Sequence, residues 1–321
     1  MAKFILKRVL TMIPVLLGVS LLVFVILSLA PGDPAVIIAG DYAEESILEE
    51  TREELGLNQP LLLQWFRYVK DIVTKGDFGI SWKTGKSVTE SILERFPTTV
   101  LVAVLGAFFT AVLGIGTGII SAVKQYSIWD NLATMIGMIG VSMPNFFTGL
   151  LLVFVFAQRL KILPASGNSG WEYYVLPIIT IAFSACAGQM RMTRSSMLEV
   201  MRQDYIRTAR AKGQSERKIV MHHQLKNAMI PIITVVGQQF GILLGGSMIV
   251  EQIFSLPGVG KLMMDSINYR DYPMVRGSLL LLAFGFCTVN LLVDIAYAVV
   301  DPRIRSQFAK TKKKKAKEEA A

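Results

Sequence analysis

The sequence predicts an all-α integral membrane protein of six transmembrane helices, with a small polar subdomain between the first two. Three observations carry this. Of the 321 residues, 52% are hydrophobic. Several charge-free runs approach the ~20 residues that a helix needs to cross a bilayer. The segments between those runs carry a charge bias. With six spans, 21 Lys and Arg fall on the side of both termini and 12 on the other, which places the termini in the cytoplasm by the positive-inside rule. The net charge of +9 is therefore a topology signal and no pointer to nucleic acid. Cys186 and Cys287 lie in apolar segments, which argues against a disulfide framework or a metal-type cysteine spacing.

The elements follow in order. Met1 to Arg8 is short and basic, and Val9 to Ala30 is free of charge. Ser28 and Ala30 imitate a signal cleavage site. The apolar run is too long for a signal-peptide core, however, and Pro31 would occupy the cleavage point. A retained helix over 9–30 is the reading. Residues 31–96 carry twelve acidic against seven basic residues and form the extracytoplasmic subdomain, with short helices expected over 44–55 and 61–73. The other spans are expected at 97–123, 131–158, 173–193, 228–250 and 277–300. Pro97 falls in the first turn of the second. Gly114, Gly116 and Gly118 inside it allow another helix to come close. The third contains Ser142-Met143-Pro144-Asn145-Phe146, a proline break with polar groups at membrane depth. It is either a simple kink or a pore lining, since freed backbone groups need protein or water nearby. The fifth carries Gln238 and Gln239 beside a glycine stripe. Amides are costly against lipid, so these face protein or a wet path. Ser142, Asn145, Gln238 and Gln239 are the candidate translocation path. In the sixth span, Asn290 and Asp294 lie one turn apart, and Asp294 is expected to pair or cap at the inner helix end. Asp301-Pro302-Arg303 stops that helix, and 306–321 is a Lys-rich tail of disordered composition.

The basic stretch 200–227 reads as helix, glycine break, helix. Leu198, Met201, Tyr205 and Ala209 recur at helical spacing and predict one apolar face. Arg207 and Arg210 fall on another, with Asp204 in reach of Arg207. Gly213 suits the position just past a helix end, with Lys212 at the negative terminus. Ser215 and Glu216 suit the start of the next helix. Asn227 is the expected cap of the fifth span, with Pro231 in its first turn. Two readings are open: a solvated positive-inside linker, or a docking element that a soluble partner grips.

The decamer D-Y-I-R-T-A-R-A-K-G (Asp204 to Gly213), followed by N-A-x-I-P (Asn227 to Pro231), resembles the EAA loop of ATP-binding-cassette (ABC) importer permeases in the branch that moves peptides. Against the generic form of that loop only Ala209, Gly213 and Leu225 fit, and Arg207 stands where the glutamate would be. The peptide branch's own form fits almost throughout. A-P-G-D-P (Ala30 to Pro34), G-L-x-x-P (Gly56 to Pro60), D-F-G-x-S (Asp77 to Ser81), F-S-L-P-G-V-G-K-L (Phe254 to Leu262) and R-D-Y-P (Arg270 to Pro273) resemble the same branch. The likeness runs from the first helix to Arg305. It implies a type I importer permease fold over residues 1–305, in a bacterial or archaeal plasma membrane. It also implies a homologous sister subunit across the pore, two ATPase subunits that bind ATP and Mg, and an extracytoplasmic binding protein that delivers substrate. The implied cycle is alternating access driven by ATP. The implied cargo is di- or oligopeptides, with nickel complexes or another small solute as the alternative. Tyr205, Arg207, Thr208, Ala209, Arg210, Ala211, Lys212 and Gly213 are implied to form the coupling helix that seats in an ATPase groove.

Other classes are disfavoured. His222 and His223 are adjacent, so they point to different helix faces and make no shared metal site. Thr84-Gly85-Lys86-Ser87 imitates the end of a P-loop, but Ile80 stands where its first glycine belongs and no strand precedes it. No catalytic set, nucleotide site, cofactor or metal is expected in this chain. A secondary transporter or channel would be marked by intramembrane ion pairs and inverted repeats. A membrane-bound enzyme or scaffold would need a convergent polar site in the outer subdomain.

Overall fold

A computed structural model describes residues 2–40 and 42–300. The expected tail and the Asp301-Pro302-Arg303 stop lie outside the described residues. Apart from an isolated bridge between Ile80 and Ser87, the regular elements among the described residues are helical. Among the described residues, five helical stretches are long and apolar enough to cross a membrane: Ile5–Ser28, Val88–Val123, Trp171–Met201, Glu216–Gly245 and Tyr272–Ala296. A bent pair, Ile128–Ser142 with Asn145–Arg159, is the sixth candidate.

Helix α1 (Ala2–Ser28) leads into the subdomain. There α2 (Pro34–Ala39), α3 (Glu45–Glu54) and α4 (Leu61–Lys75) follow. Asp33 caps α2 by accepting from Ala35 N at 2.9 Å and also holds Arg52 at 2.6 Å, joining α2 to α3. Trp65 of α4 donates to Ser20 of α1 at 3.0 Å. The turn that imitates a P-loop closes on itself, with Ser81 N bonded to Lys86 O. Ser87 then caps α5, accepting from Glu90 N at 3.3 Å.

That cap sets the start of α5 at Val88, and the helix runs to Val123. Pro97 therefore lies well inside it, not in the first turn as the hydropathy suggested. Helix α8 (Val175–Met201) packs along α5. A Cβ on Gly114 would stand 2.5 Å from Gln189 Cβ, and one on Gly118 would stand 2.5 Å from Thr193 Cβ. Gly116 faces open space, so the contact uses Gly114 and Gly118, four residues apart, and not all three glycines.

The proline break expected within 131–158 is sharper than a simple kink. Helix α6 (Ile128–Ser142) stops before Pro144, α7 (Asn145–Leu152) starts after it and runs on as a wide π turn through Val153–Arg159, and the two arms meet at 103°. Pro144 removes a backbone donor and crowds the preceding turn. Met143, in extended backbone at φ −89° and ψ 121°, lets the chain turn through more than a right angle between the two arms.

After α8 come α9 (Asp204–Ala211) and α10 (Glu216–Lys218). A π-helical segment Ile219–Leu225 carries the chain without a break into α11 (Lys226–Gly246). Asn227 is thus no cap. It lies inside a continuous helix and donates to His223 O at 2.6 Å, and Pro231 is interior as well. Helices α12 (Met248–Ile253) and α13 (Val259–Asn268) precede α14 (Tyr272–Val300). Glu251 explains the P-G-V-G turn between α12 and α13. Its buried carboxylate accepts from Ser247 Oγ and from Lys261 N, both at 3.0 Å. A Cβ on Gly258 would sit 2.2 Å from that carboxylate. At the other end of the bundle, Asp294 of α14 pairs with Arg8 of α1 at 3.0 Å, as expected.

Candidate functional site

Two features meet at the end of the bundle that carries the basic stretch: a closed helical hairpin and a cavity beside it. The hairpin starts where α8 ends. Gln203 adopts extended backbone and breaks the helix before Asp204. The predicted stripe of Leu198, Met201, Tyr205 and Ala209 presupposes one continuous helix, so the break divides it. Leu198 and Met201 pack with α8's neighbours. Tyr205 is exposed and Ala209 is buried.

The end of α9 is a complete Schellman closure. Gly213 lies at φ +73°, its N–H donates to Arg210 O at 2.9 Å, and Gln214 N–H donates to Ala209 O at 3.3 Å. Arg210 reaches across the turn to Glu216, with Nε to Oε1 at 2.7 Å and Nη2 to Oε2 at 3.2 Å. His223 Nε2 and the Gln214 side chain lie 2.7 Å apart. Ile206, Ala209 and Ile219 form a small core of their own with Val200 packed against it. Ala209 is therefore covered by its own chain. Residues Tyr205, Arg207, Thr208, Arg210, Ala211, Lys212 and Gly213 are exposed. Asp204 and Arg207 approach only to 3.9 Å in full solvent, a pair of little energetic weight. Ser215 starts α10 but makes no side-chain cap.

The cavity, 1330 Å³, lies between α6 and α8 and reaches Gln203 at the root of the hairpin. Ser142 and Met143 line it, as do Arg191, Arg194 and Arg202. Of the four expected path residues only Ser142 is on this wall. Asn145 opens α7, and its Oδ1 is buried without a partner. Gln238 is exposed on α11, and Gln239 leans toward Gly188 of α8. The structure does not gather the four into one cluster.

A constellation absent from the sequence reading sits on the cavity wall. Asp130 of α6 accepts two hydrogen bonds from Arg194 of α8, from Nε at 2.9 Å and from Nη2 at 2.8 Å. It also accepts from Ser121 Oγ of α5 and from Tyr126 N at 2.9 Å. One carboxylate thus ties three helices and the turn between two of them. The available signals were a lone acid in an otherwise apolar helix and the Ser127-x-x-Asp130 start pattern. Among the described residues, no group of His, Cys, Asp and Glu could hold a metal.

Comparison with known proteins agrees with this architecture. Residues 114–306 match the family described as binding-protein-dependent transport system inner membrane component, and residues 1–103 match the N-terminal component of the same systems. The chain is 42% identical over 305 residues to the glutathione transport system permease protein GsiC of Escherichia coli strain K12, covering 95% of this chain and 99% of that one. The Shigella boydii protein of the same name matches to the same extent. Among solved structures, the inward-facing MetNI methionine ABC transporter superimposes with a TM-score of 0.56 at 19% identity, over 65% of this chain and 96% of the other. An amino acid ABC transporter solved with histidines gives 0.53 at 14% identity, over 65% and 94%. At such identities these two speak for the fold alone, which is the type I importer permease fold. The protein belongs to the inner-membrane components of binding-protein-dependent transport systems: it is a multi-pass permease subunit of an ABC importer, a family whose ATP hydrolysis is carried out by separate ATPase subunits and whose substrate arrives on a binding protein.

Proposed function

We propose that this permease imports peptide-like solutes, that the hairpin around α9 is where an ATPase subunit docks, and that the hairpin end of the bundle faces the cytoplasm. The exposed basic face of α9 carries this reading. Tyr205, Thr208 and Lys212 recur at spacings of three and four residues and so share one face, beside Arg207 and Ala211. That face is presented on a stem too well closed to be a slack linker. The charge asymmetry of the sequence supports the orientation. The D-Y-I-R-T-A-R-A-K-G decamer and the glutathione named in the relatives' descriptions support a peptide-like cargo, glutathione being a small peptide. A homologous sister subunit completes the pore. Ser142, lining the 1330 Å³ cavity, together with Asn145, Gln238 and Gln239, contributes to the path. ATP and Mg act on the ATPases and not on this chain, and coupling requires that they bind one pore conformation better than the other.

The test is reconstitution with the sister subunit, the two ATPases and the binding protein in lipid. ATP-dependent uptake of labelled di- and tripeptides is expected. Uptake of a nickel complex without any peptide uptake would overturn the cargo reading. Retention of both ATPases after the outward residues of α9 are all changed to alanine would overturn the docking reading.

A further inference from the structure

A second cavity, 600 Å³, lies at the opposite end of the bundle, where the subdomain meets α1 and α14. Coupling does not use it, yet its lining is chemically incomplete. Arg276 of α14 and Arg67 of α4 both line it. Three rings surround the Arg276 guanidinium, with Cζ 4.4, 5.6 and 5.8 Å from the centroids of Phe24, Tyr68 and Trp82. Its edges are not matched. Only Nε is hydrogen-bonded, to Tyr272 O at 3.3 Å. Among the described residues no carboxylate comes within 4.0 Å of either guanidinium, although the charge of Asp271 acts on Arg276.

The nearby acids are already engaged. Asp71 pairs with Lys75 at 2.8 Å. Asp271 accepts from Ser81 Oγ and from Trp82 N. The wall also holds two buried polar atoms without partners, Gln59 Oε1 and Tyr68 Oη. The cavity therefore combines guanidinium N–H groups with no protein acceptor, a buried amide oxygen that lacks a donor, and aromatic surface. Arg276 is half-buried, and a planar carboxylate meets a guanidinium fork with two parallel bonds. The volume lies in the range of small-molecule sites.

We propose that this cavity binds the carboxylate of a small peptide-like solute. The Arg276 fork takes the carboxylate, Arg67 adds charge, a ligand N–H faces Gln59, and an apolar side chain lies against Trp82. The choice of ligand rests on the cargo reading above, and the site itself does not. A lipid phosphate could present the same anion chemistry, so the experiment separates the two sources.

Equilibrium binding of radiolabelled Ala-Phe and of its C-terminal amide is measured on the assembled transporter without binding protein or ATP. One set of nanodiscs contains phosphatidylcholine alone, and another adds phosphatidylglycerol. Saturable Ala-Phe binding in the neutral lipid is expected, with the amide at least tenfold weaker. Arg276→Gln should weaken Ala-Phe binding at least tenfold. Arg276→Lys, which keeps the charge but not the fork, should fall between. The melting temperature of each complex reports folding, and Arg67→Gln carries the test if Arg276→Gln does not assemble. Equal binding of amide and acid, or unchanged affinity in the arginine variants, overturns the proposal. So does occupancy that follows phosphatidylglycerol content and ignores the peptide. Uptake is scored separately: parent-level Ala-Phe binding without uptake of any peptide refutes the cargo reading and leaves the site, whereas uptake without binding refutes the site.

Discussion

Removing either partner of the Asp130–Arg194 pair should destabilise the bundle, and the two losses should not add. The Asp130 side chain is 4% exposed and that of Arg194 is 27%. Changing Arg194 to Gln removes both charge-assisted bonds and leaves the carboxylate with Ser121 and Tyr126 N alone. Removing one partner of a buried pair costs about 3–5 kcal/mol. Arg194 borders the cavity, where water screens it, so the low end, about 3 kcal/mol, is expected. Asp130→Asn should cost less, about 2 kcal/mol, because the orphaned guanidinium can turn into the cavity. The double variant buries no unpaired charge. It should recover about 2 kcal/mol of the summed loss, which is the coupling of the pair. The assay is unfolding of the purified complex in detergent, followed by loss of monodispersity with temperature, on both single variants, the double variant and the parent. Additivity within about 0.5 kcal/mol would mean that the pair is solvated in the working protein, and the account of how α5, α6 and α8 are tied would fail.

Other outcomes follow from the same packing. Gly114→Ala and Gly118→Ala force a Cβ to within 2.5 Å of α8 atoms and should each cost about 1–3 kcal/mol. Gly116→Ala, with nothing within 4 Å, should be neutral in the same melting assay, and equal losses at all three would contradict the geometry. At Gly213 no atom lies within 4 Å of an added Cβ, so alanine pays only for its positive φ, about 1–2 kcal/mol. Asparagine there should be milder, as measured by trypsin cleavage of the hairpin. Ala209→Glu places a charge among Ile206 and Ile219 and should make the hairpin protease-sensitive in the isolated permease, whereas Tyr205→Ala should leave it resistant and weaken ATPase retention. The opposite assignment would show that Ala209 and not Tyr205 faces the partner. Cysteines within Lys83–Glu90 should label from outside intact cells and those within Ser215–Lys218 should not. The reverse pattern would invert the proposed orientation.

Apolar runs near 20 residues made the spans legible, because that signal depends on length and not on neighbours. What the runs hide is what happens inside them. Pro144 sits in a long apolar stretch, and hydropathy cannot separate a shallow kink from a 103° bend. The start of α5 lies in polar residues that an apolar window discards, although Ser87-x-x-Glu90 was a readable cap. Asn227 looked like a cap because a membrane helix was expected to start near the apolar boundary. The π turn over Ile219–Leu225 carries the helix straight through. The Asp130–Arg194 pair joins residues 64 apart, and no local pattern names such a partner. The reading of α9 failed for another reason: one period was laid across a break at Gln203, so Leu198 and Met201 of α8 were joined to Tyr205 and Ala209 of α9, and the second arm that covers Ala209 through Ile219 was not foreseen.

That correction bears on how force could travel from an ATPase into the bundle. A slack loop would absorb displacement. This hairpin has its own core, a Schellman closure, and the Arg210–Glu216 bridge across its turn. Its second arm is continuous with α11 from Glu216 to Gly245. A push on the exposed face of α9 would therefore act on α11 as on a lever. Its next contact is with α14, where a Cβ on Gly237 would stand 2.4 Å from a Val293 methyl. So close an approach leaves little room to slide, since packed interfaces switch between arrangements more readily than they deform. On the proposed function, motion at the hairpin would then reach α14 as a shift of the pair and not as bending within α11. Residues 219–225, whose wide turn is the one irregularity between hairpin and membrane helix, become the place where stiffness can be tuned, because a π turn can return to α geometry by moving a single residue's register.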